Sequence, residues 1–274
     1  SIHYDKVDHF GYEIFLGIQA AAAEQGIGVN IVAVNDEELK SGMYYSIMSG
    51  GNYEGSVFLG FKPHPVFVEH IRCLNIPMVV LDNNVDCPMS ARVGCDSADG
   101  IRQAVRYLWS KGHDRIGFLG GEPDSIVTIE RKQAYSAALS ELGLEEDPAA
   151  VKYGYFSGKG TKKRILEIAE TGVTAVVCIS DLLACTALRE LIQAGYSVPE
   201  DISVTGYDNL PPSEYSQPPI TTLSQNRIHI GKTAFFMLQQ MKNGIHMKSV
   251  MLRPELIERE SVRELCVREL PEEE

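Results

Sequence analysis

The chain has 274 residues, 44% of them hydrophobic, and 37 acidic against 25 basic side chains give a formal net charge of −12. That length suits two lobes of ordinary size rather than one small domain. The acidic balance argues against a nucleic-acid surface, which needs clustered Lys and Arg, and no stretch approaches the roughly 18 apolar residues of a membrane span.

Helical and strand patterns alternate along the chain, the signature of a parallel α/β sheet. Tyr12 to Gln25 is amphipathic, with Ile14, Phe15, Ile18 and Ala22 near one face, and Gly26 ends it. Val29–Val34 reads as a short apolar strand, Glu38–Ser49 as a helix and Gly55–Leu59 as a strand. Val66–Leu74 follows as a helix, Pro77–Leu81 as a strand ending at Asp82, and Ala98–Lys111 as a helix stopped by Gly112. The rhythm then repeats. Arg115–Leu119, Val151–Phe156 and Ala175–Ile179 are expected strands. Ile129–Leu142, Gly160–Glu170 and Leu182–Ala194 are expected helices. Gly195 closes the last of these, Pro199–Glu200–Asp201 make a turn, and Ile202–Thr205 form a buried strand running into Gly206–Tyr207–Asp208. A helix over Ile228–Lys242 and strands over Ser249–Leu252 and Glu255–Arg259 complete the pattern.

Catalytic signatures are missing. There is no G-x-S-x-G elbow, no G-x-x-x-x-G-K-[ST] loop and no G-x-G-x-x-G after a strand, so no enzyme is expected. Gly117-Phe118-Leu119-Gly120-Gly121 lacks the phosphate-loop spacing and reads as a tight strand-to-helix turn. His113 follows Gly112 at a helix end, where a cation suits the dipole, and reads as structural. Lys162-Lys163-Arg164 reads as a solvated helix face. The six cysteines, Cys73, Cys87, Cys95, Cys178, Cys185 and Cys266, form no C-x-x-C pair, and no histidine stands at metal-ligand spacing from them. Neither a metal nor a cofactor is expected, and scattered thiols suggest a reducing cytoplasm. Ser1 to Asp5 shows no basic segment leading into an apolar run, so no signal peptide is visible.

Binding chemistry is better represented. Asp96, Asp99, Ser180-Asp181 and Asp208 fall at the carboxyl ends of expected strands or in the loops just after them, where α/β sheets bind ligands. Arg131 opens a helix after the Gly120–Ile129 loop. Sugar hydroxyls need acceptors and donors in a fixed fork, which Asp with Arg supplies. Phe10, Tyr12 and Phe156 are candidate rings for the apolar face of a pyranose or a base. Each has a plainer alternative: Phe156 as core, Asp99 as the cap of the helix it enters, Asp181 as the cap of the 182–194 helix.

The wording of several segments resembles the bacterial lactose/galactose-repressor family. Gly195 to Ser224 is similar to its G-x-x-V-P-E-D-[IV]-S-V-x-G-[FY]-D phrase followed by P-P-[IL]-T-T. Gly17 to Ala22 looks like its first helix, preceded here by Asp8-His9-Phe10-Gly11. Val93-Gly94-Cys95-Asp96 is similar to V-G-x-D, and Tyr107 to Gly121 follows H-L-x-x-x-G-H-x-x-I-x-F-[IL]-x-G. Arg131 and Tyr135 match R-x-x-G-[YF], with Ala134 in place of glycine. Ser180-Asp181 stands where A-N-D is usual, putting a hydroxyl where an amide is common. Arg253 to Ser261 resembles the closing P-x-L-[IV]-x-R-x-S. The match covers residues 8 to 262.

The resemblance implies an α/β fold of two similar lobes, each a parallel sheet flanked by helices, joined by three crossings (periplasmic binding protein-like I). Residues 1–114 with 223–251 would form the N-terminal lobe and 115–222 with 252–274 the C-terminal lobe. The helix-turn-helix DNA-binding domain would be absent from this chain. The implied function is ligand sensing and dimerisation in a cytoplasmic transcriptional regulator of the repressor type. A small effector, a sugar by expectation, would bind between the lobes through Phe10, Tyr12, Asp96, Arg131, Phe156, Ser180 and Asp208. Operator DNA would be a partner only through the missing domain. A homodimer would use Leu188, Leu191, Ile192 and Tyr215. The alternative on the same fold is a periplasmic sugar-binding protein of a transport system.

Overall fold

A computed structural model describes residues 10–33, 36–51, 53–60, 65–72, 76–83, 85 and 87–268. The chain divides into two compact units, Ser1–Cys95 with Asn226–Leu252 and Asp96–Gln225 with Arg253–Glu274, and changes unit three times.

In the first unit, α1 (Phe10–Glu24), α2 (Asp36–Lys40), α3 (Met43–Gly50), α4 (Pro65–Arg72) and α10 (Arg227–Lys242) accompany four strands. These are β1 (Ser56–Phe58), β2 (Met78–Leu81), β3 (Ser90–Cys95) and β9 (Ser249–Leu252), in the order β1-β2-β3-β9, all parallel. Ile14, Ile18, Ala21 and Ala22 recur at the helical period, so α1 buries one stripe. That stripe meets α10 at very short range. A Cβ on Gly17 would lie 2.1 Å from the Ile228 carbonyl oxygen, and one on Gly231 would lie 2.0 Å from that of Ile14. Two glycines in register let the two backbones touch, a close approach that no side chain permits.

The second unit holds α5 (Ser97–Ser110), β4 (Ile116–Gly120), α6 (Ile126–Glu141), β5 (Val151–Tyr153), α7 (Thr161–Ala169), β6 (Ala175–Cys178) and α8 (Asp181–Gln193). After these come β7 (Ser203–Asp208), α9 (Pro211–Tyr215), β8 (Thr221–Ser224) and β10 (Glu255–Ile257). Its six-stranded sheet runs β10-β8-β7-β6-β4-β5, with only β10 antiparallel. Strands β4, β6 and β7 are buried along their whole length, as expected where helices cover both faces. From β4 the chain steps outward to β5 and then returns to the other side of β4 as β6. Strand order therefore reverses between β4 and β6, which is where such sheets open a crevice at their carboxyl edge.

Several sequence expectations need correction. Residues 29–33 form no strand, and Val29, Ile31 and Val32 are exposed; no neighbouring strand among the described residues completes a ladder with them, and residue 34 lies outside the described residues. The expected 38–49 helix is two helices, broken where Gly42 adopts a φ of 78°. Strands β3 and β8 and helix α9 went unrecognised. Helix α5, expected in the first lobe, packs in the second unit: Ile101, Ala104, Val105 and Leu108 share a core with Tyr135, Ala138 and Leu139 of α6. The boundary expected near residue 114 therefore stands at 95/96. That expected at 222/223 stands at 225/226, because β8 is hydrogen-bonded to β7 and Leu223 is core. Leu188 and Leu191, expected at a dimer surface, are also core residues of the second unit, on the inner stripe of α8.

Candidate functional site

The second unit gathers its polar residues at the carboxyl edge of the sheet. Strand β7 delivers Asp208 there with a φ of 114°, and Asn209 follows at 53°. Both values are rare for residues with a Cβ, and such backbone strain concentrates at ligand sites. The Asp208 side chain is buried, and its Oδ1 accepts a 2.6 Å hydrogen bond from the Gln225 amide. Arg131, on the second turn of α6, brings Nη1 to 3.9 Å from the same oxygen. Its guanidinium also donates to the Ile179 carbonyl just past β6, and Nε lies 3.4 Å from Ser97 Oγ. The guanidinium carbon stands 3.5 Å from the Tyr207 ring centroid. A buried cation is tolerated only when paired and hydrogen-bonded, and here an anion, a carbonyl, a hydroxyl and a π face surround it.

The other expected site residues sit close to this edge or in the first unit. Asp96 caps α5 by accepting from the Asp99 amide at 3.0 Å, and Ser180 caps α8 by accepting from Leu183 at 3.3 Å. The cap expected of Asp181 is thus supplied by Ser180, and that expected of Asp99 by Asp96; Asp99 instead pairs with Arg253 at 3.0 Å. Phe156 is half-buried, its backbone N–H donates to Glu122 at 3.2 Å, and its ring lies so close to Gly121 that a Cβ there would meet it at 2.7 Å. Phe10 and Tyr12 begin α1 of the first unit, both half-buried.

His113 is fully buried, with Nδ1 2.9 Å from Thr174 Oγ1 and Nε2 3.1 Å from the Arg263 carbonyl. Burial first of all holds its pKa below the ordinary value, so it is a neutral cross-brace and not the helix-end cation its position suggested. Lys163 and Arg164 pair with Glu167, and Lys162 with Glu190, which uses the basic run as a paired surface.

Ser97, Tyr207 and Gln225 also surround the Arg131–Asp208 pair and are not among the residues expected from the sequence. Tyr207 sits inside the β7 motif, and Gly100 on α5 marks its reach: a Cβ there would be 2.5 Å from the tyrosine oxygen. Gln225 follows β8 with no pattern of its own.

A mostly parallel sheet whose polar groups converge at the strand-order reversal defines an α/β protein of the ligand-binding type. Residues 105–262 match the periplasmic binding protein-like domain family. Over 268 residues the chain is 31% identical to the HTH-type transcriptional repressor CytR of Escherichia coli, covering 95% of this chain and 78% of that protein. Over 194 residues it is 34% identical to the HTH-type transcriptional repressor PurR of Aliivibrio salmonicida, covering 69% of this chain and 58% of the relative. The solved transcriptional regulator CelR–cellobiose complex superposes with a TM-score of 0.83 at 28% identity, over 92% of this chain and 79% of that one. This chain belongs to the lactose/galactose-repressor family and carries its periplasmic-binding-protein-like region.

Proposed function

We propose that the chain is the effector-binding and dimerising region of a bacterial transcriptional repressor that works in the cytoplasm, with a sugar as effector. The observation that carries this reading is the buried Arg131–Asp208 pair at the carboxyl edge of β7. A carboxylate beside a guanidinium offers acceptor and donor side by side, the fork that neighbouring hydroxyls require. Phe156 is assigned to the apolar face of the ligand, and Asp96 and Ser180, at the starts of α5 and α8, to its hydroxyls. In the first unit, Phe10 and Tyr12 are the rings assigned to the ligand. A relative in complex with cellobiose supports the sugar class.

Operator DNA is contacted through a helix-turn-helix segment, as the names of the relatives indicate for them, and not through a region of net charge −12. The dimer forms through Tyr215 and Ile192, which are 78% and 48% exposed. A thermal-shift screen of sugars, sugar phosphates and purines tests the ligand class. A ligand specific to the folded state raises stability by RT ln(1 + [L]/Kd), about 2.7 kcal/mol at a hundredfold excess. Stabilisation by neutral sugars is the expected result; stabilisation by purines alone would replace the sugar with a base.

A further inference from the structure

Two motifs of the sequence remain without a role: Asp181 of the Ser180-Asp181 pair and Arg259 of the closing Arg253–Ser261 phrase. The structure brings both to the turn that follows Asp208. Asp181, on the first turn of α8, is fully buried. Its Oδ2 accepts from the Leu210 backbone N–H at 2.6 Å and its Oδ1 from Thr222 Oγ1 of β8 at 2.6 Å. It lies hard against β7, since a Cβ on Gly206 would fall 2.2 Å from Oδ1. On the other side, Arg259 Nη2 donates to Asn209 Oδ1 at 2.7 Å, while Nη1 donates to the Ile220 carbonyl at 2.9 Å and lies 3.3 Å from Ser213 Oγ. Its backbone N–H donates to Thr221 Oγ1 at 2.9 Å, which joins the segment after β10 to β8.

Between these two grips lie Asp208 and Asn209, consecutive residues with positive φ and a Cβ. A backbone of this kind persists only when its surroundings over-determine it. We propose that Asp181 and Arg259 are positioning residues for effector binding, clamping the Asp208–Leu210 turn from α8 and from the C-terminal segment and thereby presenting the Asp208 carboxylate. This rests on the effector reading for its consequence, but the clamp itself is a property of the ligand-free chain. The groups that face Asp181 are Arg259 from the C-terminal segment, Cys178 from β6 and Cys185 from its own helix, besides the hydroxyls of Thr222 and Ser213. Burial dominates and pushes the carboxyl up to about 6. The strength of the grip therefore changes in mildly acidic solution, because a carboxylate accepts stronger hydrogen bonds than its neutral form.

The test uses the full chain and three variants, Asp181→Ala, Arg259→Met and Asp181→Asn. Amide hydrogen exchange without ligand is the first readout. Asp181→Ala and Arg259→Met should each speed exchange of the Asn209, Leu210 and Ser213 amides at least tenfold while β4 and β6 stay protected. If Asp181→Ala does not fold, Arg259→Met carries the same measurement. Calorimetry with cellobiose as the probe, from pH 5 to 8, is the second. Wild-type affinity should fall severalfold as the pH drops through about 6, towards that of Asp181→Asn, whose affinity should be flat. Unchanged exchange in the folded variants overturns the clamp. Raised exchange with unchanged cellobiose affinity overturns its bearing on the effector. If the wild type binds no cellobiose, the sugar reading loses its support, and the exchange result alone decides the clamp.

Discussion

The guanidinium of Arg131 lies over the ring of Tyr207, 3.5 Å from its centroid, while the next residue, Asp208, stands 3.9 Å from the Arg131 nitrogen. One strand end thus supplies both a π face and an anion to the same cation. The stack fixes the plane of the guanidinium, and the carbonyl and carboxylate contacts fix its rotation within that plane. The cation is pre-organised before any ligand arrives.

Arg131→Lys should weaken sugar binding at least tenfold. Lysine keeps the charge but has neither the planar fork nor the stacking face. Because the site is buried, the same change should also cost about 1–3 kcal/mol of stability. Calorimetry and urea denaturation measure the two effects separately. Unaltered affinity in a folded variant would remove Arg131 from the site.

Asp181→Asn should raise stability at neutral pH. The folded-state carboxyl is raised by burial from 3.8 to about 6, so between those values the native state holds more protons than the unfolded chain. Stability contributed by the protonated group is therefore present at low pH and lost as pH rises through about 6. The neutral variant escapes that loss, and its advantage, on the order of 1–3 kcal/mol at pH 7.5, should shrink as pH falls to 4. Denaturation curves of both proteins across this range check the sign.

His113 works in the opposite direction. Its pKa lies below the ordinary 6.5, so its contribution is present above that value and lost as pH falls. His113→Gln should flatten the acid side of the stability curve. At pH 7.5 it should lie about 1–3 kcal/mol below wild type, since Thr174 and the Arg263 carbonyl lose their fitted partner.

Gly206→Ala should destabilise the second unit by about 1–3 kcal/mol, the range for over-packing a tight core. The added methyl would meet the Asp181 carboxylate at 2.2 Å. Combined with Asp181→Gly it should cost less than the sum of the two single changes, and a strictly additive double variant would show that the two positions do not touch.

Tyr215→Glu should convert a dimer to a monomer in sedimentation equilibrium without lowering thermal stability of the fold, because Tyr215 is exposed. Leu191→Ala should do the reverse. Its side chain is core, so its loss should cost about 2–5 kcal/mol and leave the assembly state of the folded fraction unchanged.

The longer helices α1, α5, α6, α8 and α10 were legible to within a few residues, because a helix repeats its buried face over neighbours in the sequence. So was Asp208, placed by a hydrophobic strand running into a polar residue. Strand β3 was not, because Ser90–Cys95 mixes Arg92 and Gly94 into a short alternation, and one of the two strands that pair with it, β9, lies far off in the chain. The Val29–Ala33 run shows the converse, an apolar stretch that reads as strand and forms none, since a strand requires a neighbour to accept its hydrogen bonds and none of the described residues supplies one.

The membership of α5 turned on a choice that no local pattern records. Its apolar stripe names no partner, and packing against Tyr135, Ala138 and Leu139 of the facing helix places it in the second unit. The same holds within the site. Composition and motif spacing singled out Arg131 and Asp208 as a donor and an acceptor, and the fold brings them within 3.9 Å of each other. Ser97, Tyr207 and Gln225 around them, and the Asp181 and Arg259 grips on the turn, are separated from their partners by tens of residues. Hydrogen bonds and stacking act over roughly 3 to 4 Å in space and carry no period along the chain, so folding alone decided which side chains would meet.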